Sequence, residues 1–418
     1  MTDKRHTGQA VKQSKLKEMF SSLKYRNFRL LWSGVVISTT GDFIELVALN
    51  WLVYELTGSA FYLGMFNLAR ALPVLFFTLI AGTLADRYER RKLMLYSQGT
   101  AMILSGILAF LAFTGRINVY SLISIGILQG VANSFNLPIR QSLIPELVPR
   151  DQIANAIALN GAFFNLTLVL GPALGGIIIA SLGVPLALLI NALSFIAVLW
   201  ALFSMKIPRI ERKHDKTLFE SLKEGIRYIL NHRTILTILS FYFLMIAIGM
   251  PYNTLLPVFA KDYFHLEASG YGFLFAIGSL GGLLGALAAG MRNKEHVKKA
   301  TTYAFTGFGS LLIIFGIAAL FTNYIFLFVL LLVLMGFSLT TFYISNNTSI
   351  QLLVEDAYRG RVVSTIFLGL GLTSIGNFFI GTLAELFSAP VAYIIIGGIL
   401  MVASLFFMYL TRESVFHD

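Results

Sequence analysis

GTLADRYERRK, Gly82 to Lys92, is the stretch on which the fold turns. It is densely charged, and it separates two apolar runs, 59–84 before it and 93–114 after it. Each flank exceeds the ~20 residues that cross a ~30 Å hydrocarbon layer at 1.5 Å per residue. The break therefore reads as a short connection between two membrane-crossing helices. The same alternation continues outward in both directions. It predicts spans over 29–55, 59–84, 93–114, 118–138, 155–181, 186–205, 233–260, 269–290, 300–321, 324–346, 362–387 and 390–410.

Composition agrees with a chain immersed in lipid. Of 418 residues, 56% are hydrophobic and 13% charged, against about 25% charged in soluble domains. Twelve spans use roughly 300 residues and leave only loops and tails. There is no room for a separate soluble domain. Cysteine is absent, which excludes disulfides, thiolate nucleophiles and cysteine-ligated metal. The six histidines all fall in polar segments, so a histidine relay inside the membrane is not expected. These features, with no intramembrane carboxylate–histidine cluster, argue against a polytopic membrane enzyme. The lack of a soluble output domain argues against a receptor. No G-x-x-x-x-G-K-[ST] occurs either, so direct ATP drive is not expected. No cofactor or metal is expected.

The formal charge of +11 is a matter of sidedness rather than of nucleic-acid binding. With Arg29 counted in the tail and Arg233 in the linker, 29 of the 32 Lys and Arg fall in the termini and the even-numbered connections. The odd-numbered connections hold only Arg116 and Lys261, and Arg70 lies inside a span. The positive-inside rule then puts both termini in the cytoplasm, with basic loops facing anionic lipid. The predicted organisation is a basic tail (1–28), a first six-helix bundle (29–205), a cytoplasmic linker (206–232), a second six-helix bundle (233–410) and a short tail (411–418). Met1 to Phe28 has no apolar segment, so a cleavable signal is not expected. In the linker, Thr217 and Glu220 have capping-box spacing, and Leu218, Leu222, Ile226 and Ile229 form a stripe. This predicts a short amphipathic helix on the membrane face.

The halves also echo each other. PIRQSLIPELVPRDQIANAI (138–157) and NTSIQLLVEDAYRGRVVSTI (347–366) share Leu143/Leu352, Glu146/Glu355, Arg150/Arg359 and Ile157/Ile366 at one offset. Both segments follow the fourth span of their half. Repeated halves around a mid-membrane site are the architecture of secondary transporters.

Charges inside the spans are few and therefore informative. Asp42 and Glu45 lie one helical turn apart in the first span, and Arg70 lies in the second. Counting rise per residue from the basic side puts Asp42 and Arg70 at a similar depth, about 20 Å. An unpaired mid-membrane charge costs at least ~2.5–3.5 kcal/mol, so a pair or a watery cavity is required. If Arg70 pairs with Asp42, which shares its depth, Glu45 is the better proton carrier; the sequence alone leaves open which of the two acids titrates. Asn133, Asn136, Tyr242, Asn253, Tyr343 and Asn346 supply further polar lining.

The 82–92 connection resembles the G-x-L-a-D-R-x-x-R-K signature between helices two and three of the major facilitator superfamily. Gly82, Asp86, Arg87, Arg90 and Arg91 carry that likeness. It implies that Asp86 locks a cytoplasmic gate against the N-terminus of the eleventh span, where a carboxylate is favoured by the helix dipole. The corresponding stretch of the second half, GALAAGMRNKEHVKK, has Ala289 where an aspartate would fall, so one strong lock is expected. GPALGG in the fifth span (Gly171, Pro172, Gly175, Gly176) resembles the motif of drug antiporters, with Thr167 in place of its first glycine. It implies a hinge and export rather than import. ILQGVAN (127–133) resembles the superfamily's fourth-helix motif, but Gly126 stands where its proton-coupling arginine belongs.

With GDFIELVALNWLVYELTGS (41–59), LARALP (68–73) and PIRQSLIPELVPRDQIANA (138–156), nearly the whole chain is similar to the third drug:proton antiporter family, of macrolide-efflux and enterobactin-exporter type. The resemblance implies a monomeric multi-pass protein of a bacterial cytoplasmic membrane. It would export amphipathic small molecules such as drugs, macrolides or siderophores by proton antiport and alternating access. A lysophospholipid flippase or a nutrient importer of the same fold is the alternative.

Overall fold

A computed structural model describes residues 20–205, 218–291, 297–355 and 371–414, with Tyr358, Val362 and Gly369. The described chain is helical throughout its ordered elements. In chain order these are α1 (Arg26–Thr57), α2 (Ala60–Arg87), α3 (Arg90–Phe113), α4 (Val119–Ser134), α5 (Asn136–Leu143), α6 (Ile153–Ser204), α7 (Leu218–Asn231), α8 (Arg233–Leu244), α9 (Ala268–Gly290), α10 (Val297–Phe321), α11 (Ile325–Leu353), α12 (Leu372–Leu386) and α13 (Ala389–Ser414). Among the described residues, ten helices are long and apolar enough to cross a membrane.

The longest of these is two predicted spans fused into one run. Its only non-helical residue is Gly183, at φ 82° and ψ 165°, a left-handed backbone that glycine adopts without strain. The packing shows that the chain doubles back there. Gly171 and Gly175 lie against Phe43 and Ile44 of α1, whereas Asn191 and Ser194 lie against Gly41, and Val198 against Gly34. One leg of α6 thus climbs along α1 and the other descends.

After α8 the chain continues to Tyr263 as alternating π and 3-10 turns. Pro251 and Pro257 each remove an amide donor, and the wider and tighter turns absorb the mismatch. The eleventh predicted span is described as a helix only from Leu372, and the rest of 362–370 lies outside the described residues except Val362 and Gly369. The linker helix is present as α7, though its buried face differs from the expected stripe. Tyr228 and Ile229 are buried, whereas Ile226 is exposed. Tyr228 stacks on Tyr358 at 4.3 Å, and its hydroxyl accepts from the Glu355 amide at 3.4 Å. The contact with the second half, which no periodicity encodes, rotates the helix. The Thr217, Leu218, Glu220 and Leu222 side chains lie outside the described residues.

The helices of 26–204 and those of 233–414 meet along two seams, α2 with α12 and α6 with α9. Both seams include close backbone approaches toward the end that carries the 57–59 and 264–267 turns, which holds few basic residues and is termed the sparse end; the opposite end is the basic end. A Cβ on Gly64 would stand 2.6 Å from the Asn377 carbonyl and 3.1 Å from Gly381 Cα. One on Gly272 would stand 2.6 Å from Gly176 Cα. Polar contacts lie over these seams. The Tyr54 hydroxyl donates to Asp262, Lys261 sits 5.7 Å from the Tyr54 ring centroid, and Ser59 donates to Glu385 at 2.9 Å.

Backbone contact of this kind leaves no space for a side chain. Gly64→Leu is expected to wedge α2 from α12, at a cost of the ~1–3 kcal/mol typical of overpacking, and to favour separation at the sparse end. In a chain without cysteine of its own, Ser59→Cys reports this directly. Its maleimide labelling should accelerate several-fold in the Gly64→Leu background, and an unchanged rate would contradict the packing argument.

Candidate functional site

Five helices converge on one carboxylate. Glu45 of α1 is 1% exposed, and its nearest buried neighbours along the helix, Ile44, Val47, Ala48 and Leu49, are apolar. Its Oε1 receives Arg70 Nη2 from α2 at 3.4 Å and Gln129 Nε2 from α4 at 2.9 Å. Its Oε2 receives Ser105 Oγ from α3 at 2.6 Å and Asn191 Nδ2 from the descending leg of α6 at 2.7 Å. Ser105, Gln129 and Asn191 are themselves buried. Each oxygen therefore has two donors, the arrangement that makes a buried ionised carboxylate tolerable. Glu45 is a fully engaged structural anion.

Asp42 lies one turn nearer the basic end and is only half-buried. The expected Asp42–Arg70 pair is not formed, because Arg70 makes its ion pair with Glu45. Equal Cα depth did not decide the matter: an arginine side chain spans a full ~5.4 Å turn, and it follows the site where three neutral donors already gather. Asp42 has no ion pair within 4.0 Å among the described residues. Its charged neighbours are Glu45, Arg70 and Arg140, with the Asn191 amide beside it.

The missing arginine of the fourth helix is accounted for across the helix interface. A Cβ on Gly126 would stand 3.2 Å from the Phe66 ring and 3.8 Å from Arg70 Cβ, and one on Gly130 would overlap the Arg70 carbonyl at 2.2 Å. The two glycines let α4 lie directly on α2 at Arg70. The guanidinium is supplied by the neighbouring helix, beside the position where the family motif would place one.

Arg140, counted above among the topogenic loop charges, is instead part of α5 and half-buried. Pro138 cannot donate to the Ser134 carbonyl, and the helix is interrupted at Phe135. α5 carries Arg140 into electrostatic range of Asp42. Asn133 ends α4 half-buried, and Asn136 opens α5 with its Oδ1 buried and without a hydrogen-bond partner. Two guanidinium nitrogens share that condition, Nη1 of Arg70 and Nε of Arg140.

In the 82–92 connection, Arg90 donates to the Ala85 carbonyl at 3.2 Å, to the Ser142 carbonyl and to Glu146 at 2.8 Å. Arg91 donates to the Leu202 and Phe203 carbonyls at 2.6 and 3.0 Å, the orphan acceptors of a helix C-terminus. Both arginines thus bind the connection to helices of the first half. Gly82 is half-buried in the last turns of α2. The side chains of Asp86 and Arg87 lie outside the described residues, as does most of the start of the eleventh span.

In GPALGG, Gly171 and Gly175 face α1, while the Pro172 carbonyl and Gly176 face Gly272 of α9. The helix passes Pro172 without a break. Of the second half's polar residues, Tyr242 and Asn346 are wholly buried, and neither amide atom of Asn346 has a partner. Tyr343 stacks obliquely on Tyr242 at 5.7 Å, and Tyr343 and Asn253 are half-buried. The charged groups of the site all belong to the first half.

A family model described as transmembrane secretion effector matches residues 17–417. The chain is 27% identical over 391 residues to the staphyloferrin A transporter of Staphylococcus aureus, covering 92% of this chain and 96% of that one. It is 25% identical over 353 residues to macrolide efflux protein A of Streptococcus pyogenes, covering 82% and 86%. Among solved structures, a bacterial homologue of the iron transporter ferroportin in an inward-facing state aligns with a TM-score of 0.68 at 17% identity, over 91% of this chain and 98% of that one.

Proposed function

The chain belongs to the transmembrane secretion effector family of the major facilitator superfamily, and from that premise we propose that it is a proton-driven exporter working by alternating access. It is a multi-pass membrane transporter rather than an enzyme, and its relatives include a staphyloferrin A transporter and a macrolide efflux protein. Amphipathic compounds of those kinds are its proposed substrates. The observation that carries the proton reading is the division of labour between two acids. Glu45 has four donors, whereas Asp42, a turn away and half-buried, has no ion pair among the described residues. A proton can enter and leave Asp42 without dismantling the five-helix cluster. Asp42 is the proton carrier, and Glu45 with Arg70 is its fixed support.

The chain crosses the membrane twelve times in two six-helix bundles, with both termini in the cytoplasm. The doubled-back α6 and the partly described eleventh span add to the ten long helices. The sparse end is then extracellular. Its closure by the Gly64–Gly381 and Gly176–Gly272 contacts corresponds to an inward-facing conformer, in keeping with the inward-facing structural neighbour. Asp86 would lock the cytoplasmic side in the opposite conformer, with Arg90 and Arg91 holding its connection in place. Lipid surrounds the bundle, and one chain suffices for the cycle.

The test is efflux from a hypersensitive, exporter-deficient bacterium, with a panel of dyes, macrolides and siderophores. At least one compound should accumulate less in cells expressing the protein, and a protonophore should erase the difference. Export that persists in the presence of the protonophore would refute proton drive.

A further inference from the structure

Four charged side chains occupy the site, and only two of them are matched. Glu45 absorbs one N–H of Arg70 and three neutral donors. That leaves Asp42 and Arg140 as an open pair of opposite charges within electrostatic range of each other that form no ion pair. Arg140 Nε and Arg70 Nη1 are buried without an acceptor. A guanidinium has five donors in a planar fork, and its preferred partner is a carboxylate or another planar oxyanion. Buried donors left idle are costly. The site therefore holds cationic donors that lack an acceptor, although its four charges sum to zero when Asp42 is ionised.

Electroneutrality narrows what can bring that acceptor. This step rests on the reading of Asp42 as the proton carrier. Proton exchange requires that proton and substrate exclude each other. A purely anionic molecule does the reverse: it binds best when Asp42 is protonated, and so travels with the proton. A purely cationic molecule competes with the proton at Asp42 but leaves Arg140 and Arg70 Nη1 unmatched and repels both. A molecule with both charges meets every condition. Its cationic centre replaces the proton at Asp42, and its carboxylate takes the idle donors. The groups facing Asp42 are Glu45 on its own helix, Arg70 on α2, Arg140 on α5 and the Asn191 amide on α6. The site is neutral with the zwitterion bound and Asp42 ionised.

We propose that the substrate is zwitterionic, with its carboxylate held between Arg140 and Arg70 and its cationic centre at Asp42. Arg140 is thus a specificity-determining residue that a reading of the chain as loops and spans assigns to the membrane surface.

The experiment compares rhodamine B, which carries a cationic xanthene and a free carboxylate, with its methyl ester, which keeps the cation alone. Binding of each dye to the purified full-length protein is followed by fluorescence anisotropy near neutral pH. The wild-type protein should bind the acid form roughly tenfold more tightly than the ester, or better, as expected for charge-assisted hydrogen bonds. Arg140→Gln should abolish that preference while retaining ester binding, which shows that the variant is folded. Arg140→Lys should keep part of it. The proposal is overturned if wild type fails to bind rhodamine B or binds both dyes equally, or if the preference survives in Arg140→Gln. The proton reading has its own readout in the same titrations. Ester affinity in the wild type should fall on acidification, and a pH-independent affinity would refute the role of Asp42 alone.

Discussion

Asp42→Asn should abolish concentrative efflux while the protein remains folded and inserted. The substitution keeps the size of the side chain and removes its exchangeable proton. Arg140 loses a nearby counter-charge but no ion pair, so the structural cost should fall below the ~3–5 kcal/mol of breaking a buried pair. Efflux in everted vesicles should drop to the level of a chemically uncoupled wild type and lose its response to an imposed pH gradient. Downhill exchange of labelled for unlabelled substrate should continue, because alternation itself does not need the acid. Gradient-driven transport at the wild-type rate would move the proton site elsewhere.

Glu45→Gln should behave quite differently, as a folding defect. Each carboxylate oxygen of Glu45 accepts from two donors. A glutamine offers one oxygen and one amide group, so its NH2 must face either Arg70 and Gln129 or Ser105 and Asn191. The Ser105 hydroxyl can turn and the Gln129 or Asn191 amide can flip to accept, but the Arg70 guanidinium can only donate. Arg70 is also left without its anion in a low-dielectric setting. The expected loss is on the order of 3–5 kcal/mol, seen as poor yield and a melting temperature in detergent lowered by several degrees. A Glu45→Gln protein with wild-type yield and melting temperature would show that the five-helix cluster is not what holds the first half together.

The contrast between these two acids marks how far the sequence could be read. Asp42, Glu45 and Arg70 stand out because charge inside an apolar run is expensive wherever the chain folds. Which acid the arginine takes is a different kind of fact. It depends on Ser105, Gln129 and Asn191, neutral residues that carry no charge signal in the sequence and become donors only when three other helices aim them at Glu45. Arg140 carries no site signal of its own in the sequence, since Pro138 and the polar residues after it look like the end of a span. The helix resumes as α5 because its packing against the first half outweighs the lost hydrogen bond. Glycine at 126 reads as a missing arginine until Arg70 is found against it. Spans, by contrast, were legible almost throughout, because hydropathy acts residue by residue. Their one fusion, at Gly183, needed only a glycine able to take a left-handed turn.

That one proton leaves Asp42 as substrate arrives can be measured without any membrane. Purified protein in weakly buffered detergent, held at the acid side of neutrality with a pH-indicator dye, is mixed with a compound identified in the efflux panel. The wild-type protein should release up to about one proton per molecule on binding, and Asp42→Asn, saturated at whatever higher concentration it requires, should release none. Equal proton release from both proteins, or none from the wild type at saturating compound across the acid-to-neutral range, would contradict proton exchange at Asp42.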